Sequence, residues 1–230
     1  MRKFIIFLLT VVIICTPVCG CAAADTQKEL AGTTIRNEIT PVVVPQSSLV
    51  AVDVVKDPFI IDEVNYMAIM RECCLTGNVE QGRIAENERN NKIDTYNLSC
   101  PKISFNDLYE LSKVITAEAG SSWIPLDWKM MVGEVVLNRV ASPEFPDTVI
   151  EVIHQRGQYS GANTKYFENL VPFEDCIEAA SKLLSGERLI NDASVVFQSN
   201  HRQGSGTYRE LYDSYYGYTY LCYSEHPELY

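Results

Sequence analysis

The sequence predicts an α+β fold that is mainly helical, with a small strand element near the C-terminal end. Four segments between residues 104 and 186 carry apolar residues at helical spacing, and each has a recognisable start or stop. The run Val195–Phe197 is short, β-branched and aromatic, which is typical of a strand. The chain has 230 residues, of which 47% are hydrophobic and 10% aromatic. That is enough for one ordinary domain with a buried core and an appendage, and it excludes wholesale disorder.

The helices are predicted from capping residues and breakers. Ser, Asn and Asp side chains cap helix starts, Gly ends helices, and Pro lies just outside or in the first turn. The predicted helices run from Ser104 or Asn106 to Ala119, from Pro125 to Val140, from Asp147 to about Gln155, and from Glu174 to Ser185.

The chain divides into four predicted regions. Residues 1–24 form a signal peptide, and residues 25–56 form an extended, Pro-bounded linker. Residues 57–99 form a helical hairpin that is broken at Gly77–Asn78, packed on the main domain or serving as a spacer. Residues 100–230 form the main domain.

The N-terminal region has the layout of a secretory signal. Met1–Phe4 carry two positive charges, Ile5–Ile14 are almost wholly apolar, and Cys15–Ala24 are small or turn-forming. The apolar run is too short to span a bilayer comfortably. Val18–Cys21 resembles a bacterial lipobox, in which Cys21 would be acylated, whereas a cut after Ala24 would release a soluble protein. We therefore expect an exported envelope protein that is membrane-anchored or secreted into the cell wall.

The charge excludes two classes of partner. The formal net charge is −11, from 30 acidic and 19 basic residues. A protein that binds nucleic acid or docks on anionic lipid through its charge needs an excess of basic residues. Contact with the membrane is therefore expected only through a covalent lipid anchor.

Metal and serine chemistry have weak support in the sequence. The three histidines, His154, His201 and His226, lack the i, i+4 spacing of a zinc-binding helix. No G-x-S-x-G elbow is present, and Gly204–Gly206 is typical of a flexible loop. We predict no metal and no cofactor.

Glu118 is the most informative residue for chemistry. At 100° per residue it falls inside the apolar stripe of its helix, and it lies in the last turn, where the helix dipole disfavours negative charge. Both effects favour the protonated form, which is what a general acid requires. The alternative is a helix-end glutamate that reaches solvent or pairs with an arginine. Arg139, on the apolar face of the next helix, is one such partner, whereas Glu134 lies on a flank and is expected to be solvated or locally paired.

Tyrosines are concentrated at the C-terminal end. Eight of the thirteen lie between Tyr208 and Tyr230. A flat amphipathic ring suits the apolar face of a sugar, although core packing is the commoner role of tyrosine.

Four blocks of sequence together resemble one known family. They are Ala117–Ala119, Val132–Val140, Ser142–Pro146 and Gly157–Ser160. Their order and spacing resemble the SleB-type cell wall hydrolases, the spore-cortex-lytic enzymes, over about residues 108 to 223. The resemblance implies a compact lysozyme-like domain that acts on peptidoglycan glycan strands as a lytic transglycosylase. It implies Glu118 as the catalytic residue, with Gln158, Tyr159, Ser160 and Tyr218 lining the site.

The sequence also departs from that family. An Arg-Gly-Glu stretch often follows the first block, whereas this chain has Gly120–Trp123, so the entrance to the site is expected to differ. No peptidoglycan-binding repeat precedes the domain, which leaves spore cortex and vegetative wall both open as targets. A hydrolytic muramidase, an N-acetylmuramoyl-alanine amidase and an inactive wall-binding scaffold lipoprotein remain alternatives. Because uncontrolled wall cleavage harms the cell, restraint by anchoring or by an envelope protein partner is expected.

Overall fold

The computed structural model describes residues 57–159 and 161–230. Four predicted features lie outside the described residues: the signal peptide, lipidation at Cys21, the linker over residues 25–56 and the site role of Ser160. No helix in the described ranges has both the length and the apolar character needed to cross a membrane.

The described residues form an α+β fold dominated by helices, which confirms the predicted class. The elements are β1 (Ile60–Ile61), β2 (Val64–Asn65), α1 (Tyr66–Thr76), α2 (Val79–Tyr96), α3 (Phe105–Ala119), α4 (Leu126–Val140), α5 (Val149–His154), α6 (Lys165–Glu168), α7 (Glu174–Leu184), β3 (Val195–Ser199), β4 (Thr207–Asp213), β5 (Gly217–Tyr223) and a closing 3₁₀ turn (Pro227–Leu229).

The predicted helix starts are correct for α3 and shifted for α5. The Ser104 hydroxyl caps α3 by accepting a hydrogen bond from the Asp107 amide at 3.2 Å. Helix α5 was expected to begin at Asp147, but Thr148 caps it, with its Oγ1 accepting from the Glu151 amide at 3.2 Å. Because either side chain satisfies the first free amides of a helix, the composition alone did not separate the two neighbours.

Helices α1 and α2 form the predicted hairpin. Gly77 adopts φ +68° between them, a left-handed conformation that glycine adopts at no steric cost. Arg89 of α2 is fully buried and donates to the Pro101 carbonyl at 2.9 Å, with its guanidinium 5.0 Å from the centre of the Phe59 ring. These contacts join the hairpin to the segment that leads into α3 and to the residue that precedes β1.

Helix α4 lies at the centre of the core, between α3, α7 and β3. Gly133 marks its closest approach to the neighbouring helices. A Cβ at this position would lie 2.6 Å from Leu183 Cδ1 and 2.7 Å from Ile115 Cδ1. The absent side chain therefore allows the three helices to pack closely.

The strands β3, β4 and β5 form an antiparallel sheet in the order β3-β5-β4. Val195–Phe197 lies in β3 as predicted, whereas β4 and β5 come from the tyrosine-rich segment for which no strand was predicted. Two side chains of α4 hold β3 in place. Asn138 Nδ2 donates to the Val195 carbonyl at 3.0 Å, and Arg139 Nε donates to the Val196 carbonyl at 2.6 Å. The position of the sheet against the helices is therefore fixed by polar groups as well as by apolar packing.

Candidate active site

A cleft of about 450 Å³ lies beside the contact between α4 and β3, at one end of the helical part. Its helical side is formed where α3 ends and α4 begins, and its other side by β3, by β5 and by the turn before β5. It is lined by Glu118, Ala119, Ile124, Trp128, Gln158, Gln198, Ser199, Asn200, Tyr216, Tyr218 and Thr219. A smaller pocket of about 210 Å³ shares Glu118, Gln158, Gln198 and Ser199 with it. Glu118 therefore lies where the two cavities meet.

The Glu118 carboxylate has the environment of a group that can hold a proton. Its side chain is open to the cleft, and within the described residues it makes no hydrogen bond and no ion pair. The surrounding protein limits its hydration and raises its pKa above the ordinary value, while the positive charge of Arg139 acts in the opposite direction. The C-terminal end of α3 adds its negative dipole, which also favours the neutral acid.

Arg139 influences Glu118 through space rather than through an ion pair. The arginine is buried, and its guanidinium lies 5.0 Å from the centre of the Phe145 ring and 5.2 Å from that of Tyr159. Its Nε is occupied by the Val196 carbonyl. The buried Glu118–Arg139 ion pair considered from the sequence is not formed.

Glu134 is buried, and the solvated position expected for it is wrong. Its side chain is fully inaccessible, and its Oε2 accepts from the amides of Leu189 at 2.8 Å and Ile190 at 3.1 Å. Helical periodicity placed Glu134 on a flank of α4. Because α4 is packed on several sides, this flank is covered by the segment between α7 and β3. Glu134 does not line the cleft.

The other predicted site residues differ in their positions. Gln158 lines both cavities, and Tyr218 lines the main cleft with 49% of its surface exposed. Tyr159 is buried and lines only the smaller pocket, where burial raises the pKa of its hydroxyl. Ser160 lies outside the described residues.

Several cleft residues were not identified from the sequence. Gln198 and Ser199 end β3, directly after the predicted strand, so polar residues at a strand end were the available signal. Tyr216 belongs to the tyrosine-rich segment considered for sugar contact, although the sequence did not single it out. Trp128 on α4 had no comparable signal, because only the fold brings the start of α4 to this cleft.

Two buried polar atoms beside Glu118 lack protein partners. Gln198 Oε1 and the Tyr159 hydroxyl make no hydrogen bond within the described residues. Buried polar groups in folded proteins are normally satisfied by protein, water or ligand. The smaller pocket is therefore suited to a ligand that has hydroxyl or amide groups.

Within residues 57–159 and 161–230, no group of three or more His, Cys, Asp or Glu side chains is placed to hold a metal ion.

Comparison with known proteins gives one family. The family model described as Cell Wall Hydrolase matches residues 125–213. A search of curated proteins and a search of solved structures found no match. The matched range runs from the start of α4 to the end of β4 and includes Gln158, Tyr159 and Ser160, whereas Glu118 and Tyr218 lie outside it. Residues 125–213 are therefore similar to a cell wall hydrolase domain.

Proposed function

We propose that the protein is an exported lytic transglycosylase that cleaves the glycosidic bond between N-acetylmuramic acid and N-acetylglucosamine, with Glu118 as acid and then base. The observation that carries the proposal is the position of Glu118, a carboxyl group with a raised pKa at the junction of the cleft and the smaller pocket. The cell wall hydrolase match and the resemblance to SleB-type enzymes support the same substrate.

The first step is proton transfer. Protonated Glu118 donates its proton to the glycosidic oxygen, the bond from that oxygen to C1 of N-acetylmuramic acid breaks, and positive charge develops at C1. N-acetylglucosamine leaves with a free 4-hydroxyl. A carboxyl group with a raised pKa is suited to this step.

The second step uses the substrate as nucleophile. The C6 hydroxyl of N-acetylmuramic acid closes on C1, and its proton passes to the Glu118 carboxylate, which restores the acid. A 1,6-anhydro sugar results and no water is consumed. Ordinary glycosidases need two carboxylates that flank the bond, whereas this route needs only one.

The remaining side chains of the cleft are suited to sugar binding. Gln158, Gln198 and Ser199 offer amide and hydroxyl groups beside Glu118, and Gln198 has a free buried acceptor. Trp128 and Tyr218 offer aromatic surface against which a sugar ring can pack. Arg139, through its charge, keeps the pKa of Glu118 from rising further.

Export and anchoring are part of the proposal. The predicted signal peptide directs the chain to the envelope, and Cys21 is the proposed acylation site. Incorporation of a labelled fatty acid by the wild type, and not by Cys21→Ser, would test anchoring. Cortex and vegetative wall would be distinguished by assaying both purified polymers.

Mass spectrometry of the fragments released from purified peptidoglycan tests the reaction. Wild type should release muropeptides that are lighter by one water than the hydrolytic products. Glu118→Gln should remain folded and release none. Glu88→Gln, the same change at an exposed glutamate of α2, is the matched control and should behave like wild type.

Other outcomes would assign other functions. Reducing ends of full mass would indicate a muramidase in which water replaces the C6 hydroxyl, and stem peptides freed from intact glycan would indicate an amidase. Wall binding without any product, from folded wild type and folded Glu118→Gln alike, would indicate a scaffold lipoprotein.

A further inference from the structure

We infer that an aromatic bridge closes one side of the cleft and limits how many sugars of a glycan strand fit beyond Glu118 on that side. The aromatic bridge consists of Ser121, Trp123, Tyr215 and Tyr216. The inference rests on the proposed function, because it concerns how the same cleft accommodates its glycan.

The aromatic bridge joins the two walls of the cleft. Ser121 and Trp123 belong to the loop between α3 and α4, which directly follows Glu118. Tyr215 and Tyr216 belong to the turn between β4 and β5 on the opposite wall. The Ser121 hydroxyl is hydrogen-bonded to the Tyr216 hydroxyl. The Trp123 ring stacks on Tyr216, with centroids 6.2 Å apart and 24° between planes, and meets Tyr215 edge-on at 6.1 Å.

The turn that carries the two tyrosines is held by Asp213. Its Oδ1 accepts from the amides of Tyr215 at 2.9 Å and Tyr216 at 3.0 Å. The backbone hydrogen bond from Tyr216 is the largest of the effects that lower the pKa of Asp213. The carboxylate is therefore ionised at neutral pH and holds the turn in one conformation.

The exposure of the rings places the bridge at the outer rim. Trp123 is 58% and Tyr215 78% exposed, whereas Tyr216 also lines the cleft. If the two walls of the cleft met at its floor instead, the rings of Trp123 and Tyr215 would be buried. Because the walls meet at the rim, a glycan strand on this side must either stop at the bridge or pass beneath it.

This arrangement has a consequence for the products. If the strand cannot extend freely past the bridge, cleavage occurs a short distance from a strand end, and short anhydro fragments are released from the start. Without the bridge the cleft would admit the middle of a strand, and long fragments would form early. Trp123 lies in the segment where this sequence departs from the SleB-type pattern, so the aromatic bridge is a feature of this chain and is not implied by the resemblance to that family.

The triple variant Ser121→Ala/Trp123→Ala/Tyr215→Ala tests the inference, since it removes the bridge partners of Tyr216 and none of the three residues lines the cleft. The substrate is a preparation of long glycan strands freed of stem peptides, and products are separated by length at low conversion. The matched control is Tyr166→Ala, because Tyr166 is 69% exposed and lies outside both the bridge and the cleft. If the triple variant does not fold, Ser121→Ala/Trp123→Leu is assayed in the same way.

We expect wild type and Tyr166→Ala to release mainly short anhydro fragments, and the triple variant to raise the share of long early products several-fold. An unchanged length distribution in the folded triple variant, or long early products from the wild type, would overturn the inference while leaving the proposed function standing. Absence of anhydro products from the wild type would overturn the proposed function, and this inference with it.

Discussion

Replacement of Glu134 by alanine is expected to destabilise the protein more than any comparable change at a surface glutamate. The Glu134 side chain is fully buried, and a single oxygen, Oε2, accepts from the amides of Leu189 and Ile190. Its other oxygen has no partner within the described residues. Alanine would leave both amides without an acceptor and would separate α4 from the segment that leads into β3.

The magnitude follows from the two hydrogen bonds. A hydrogen bond to a charged group contributes about 1.5–3 kcal/mol to stability. Because the two hydrogen bonds share one oxygen, we assign each the lower value of about 1.5 kcal/mol, so Glu134→Ala should lower the free energy of unfolding by about 3 kcal/mol. With a urea dependence of about 2 kcal/mol per molar, the unfolding midpoint should fall by about 1.5 M. Glu134→Gln keeps an acceptor but loses the charge, so it should cost about 1–2 kcal/mol.

Equilibrium unfolding in urea, followed by circular dichroism, measures both variants. Glu88→Ala and Glu88→Gln are the matched controls, because Glu88 is exposed on α2 and such changes are usually within about 0.5 kcal/mol of wild type. A Glu134→Ala midpoint that coincided with that of Glu88→Ala would refute the reasoning, since the buried carboxylate would then contribute nothing measurable.

Three further predictions concern packing, thiol reactivity and pH. Gly133→Ala should lower the free energy of unfolding by about 1–2 kcal/mol, because overpacking against Leu183 and Ile115 outweighs the gain in helix propensity; an unchanged urea midpoint would contradict this. Burial raises the pKa of the Cys74 thiol to about 12 and that of Cys176 to about 11. Among the five cysteines of the described residues, iodoacetamide near pH 8 should therefore label the partly exposed Cys100 first, and peptide mapping that showed equal rates for these five in the folded protein would be evidence against it. Because the folded protein raises the pKa of Glu118, ionisation of this group costs stability as the pH rises through its unfolded pKa. The free energy of unfolding of Glu118→Gln relative to wild type should therefore increase from acidic to neutral pH, and a difference that did not change with pH would argue against the raised pKa.

The helical part of the fold was predictable because its signals are local. Ser104 caps α3 through its own side chain, and the apolar residues of α3 and α4 repeat at the helical period, so a short window of sequence contains the information. The same locality explains the error at α5, where Asp147 and Thr148 are adjacent capping residues and only the backbone conformation decides between them.

The sheet and the surroundings of Glu134 were not predictable in this way. In β4 and β5 the tyrosines lie on exposed as well as half-buried positions, so the segment lacks the alternation that marks a half-buried strand. Glu134 lies on a flank of its own helix, and the amides it binds lie 55 and 56 residues further along the chain. No local pattern encodes such a contact.

Glu118 shows why a position inside an apolar stripe can still face a cleft. Three earlier members of the stripe, Leu108, Leu111 and Ile115, are completely buried. One turn later the helix reaches the edge of the core, where the α3–α4 loop and the sheet leave a cavity instead of a packing partner. The carboxyl group is thus accessible to a ligand and yet surrounded closely enough for its pKa to rise. Periodicity placed Glu118 inside the apolar stripe of α3. The length of the helix relative to the core determines that this stripe ends at a cavity, and that depends on the tertiary structure.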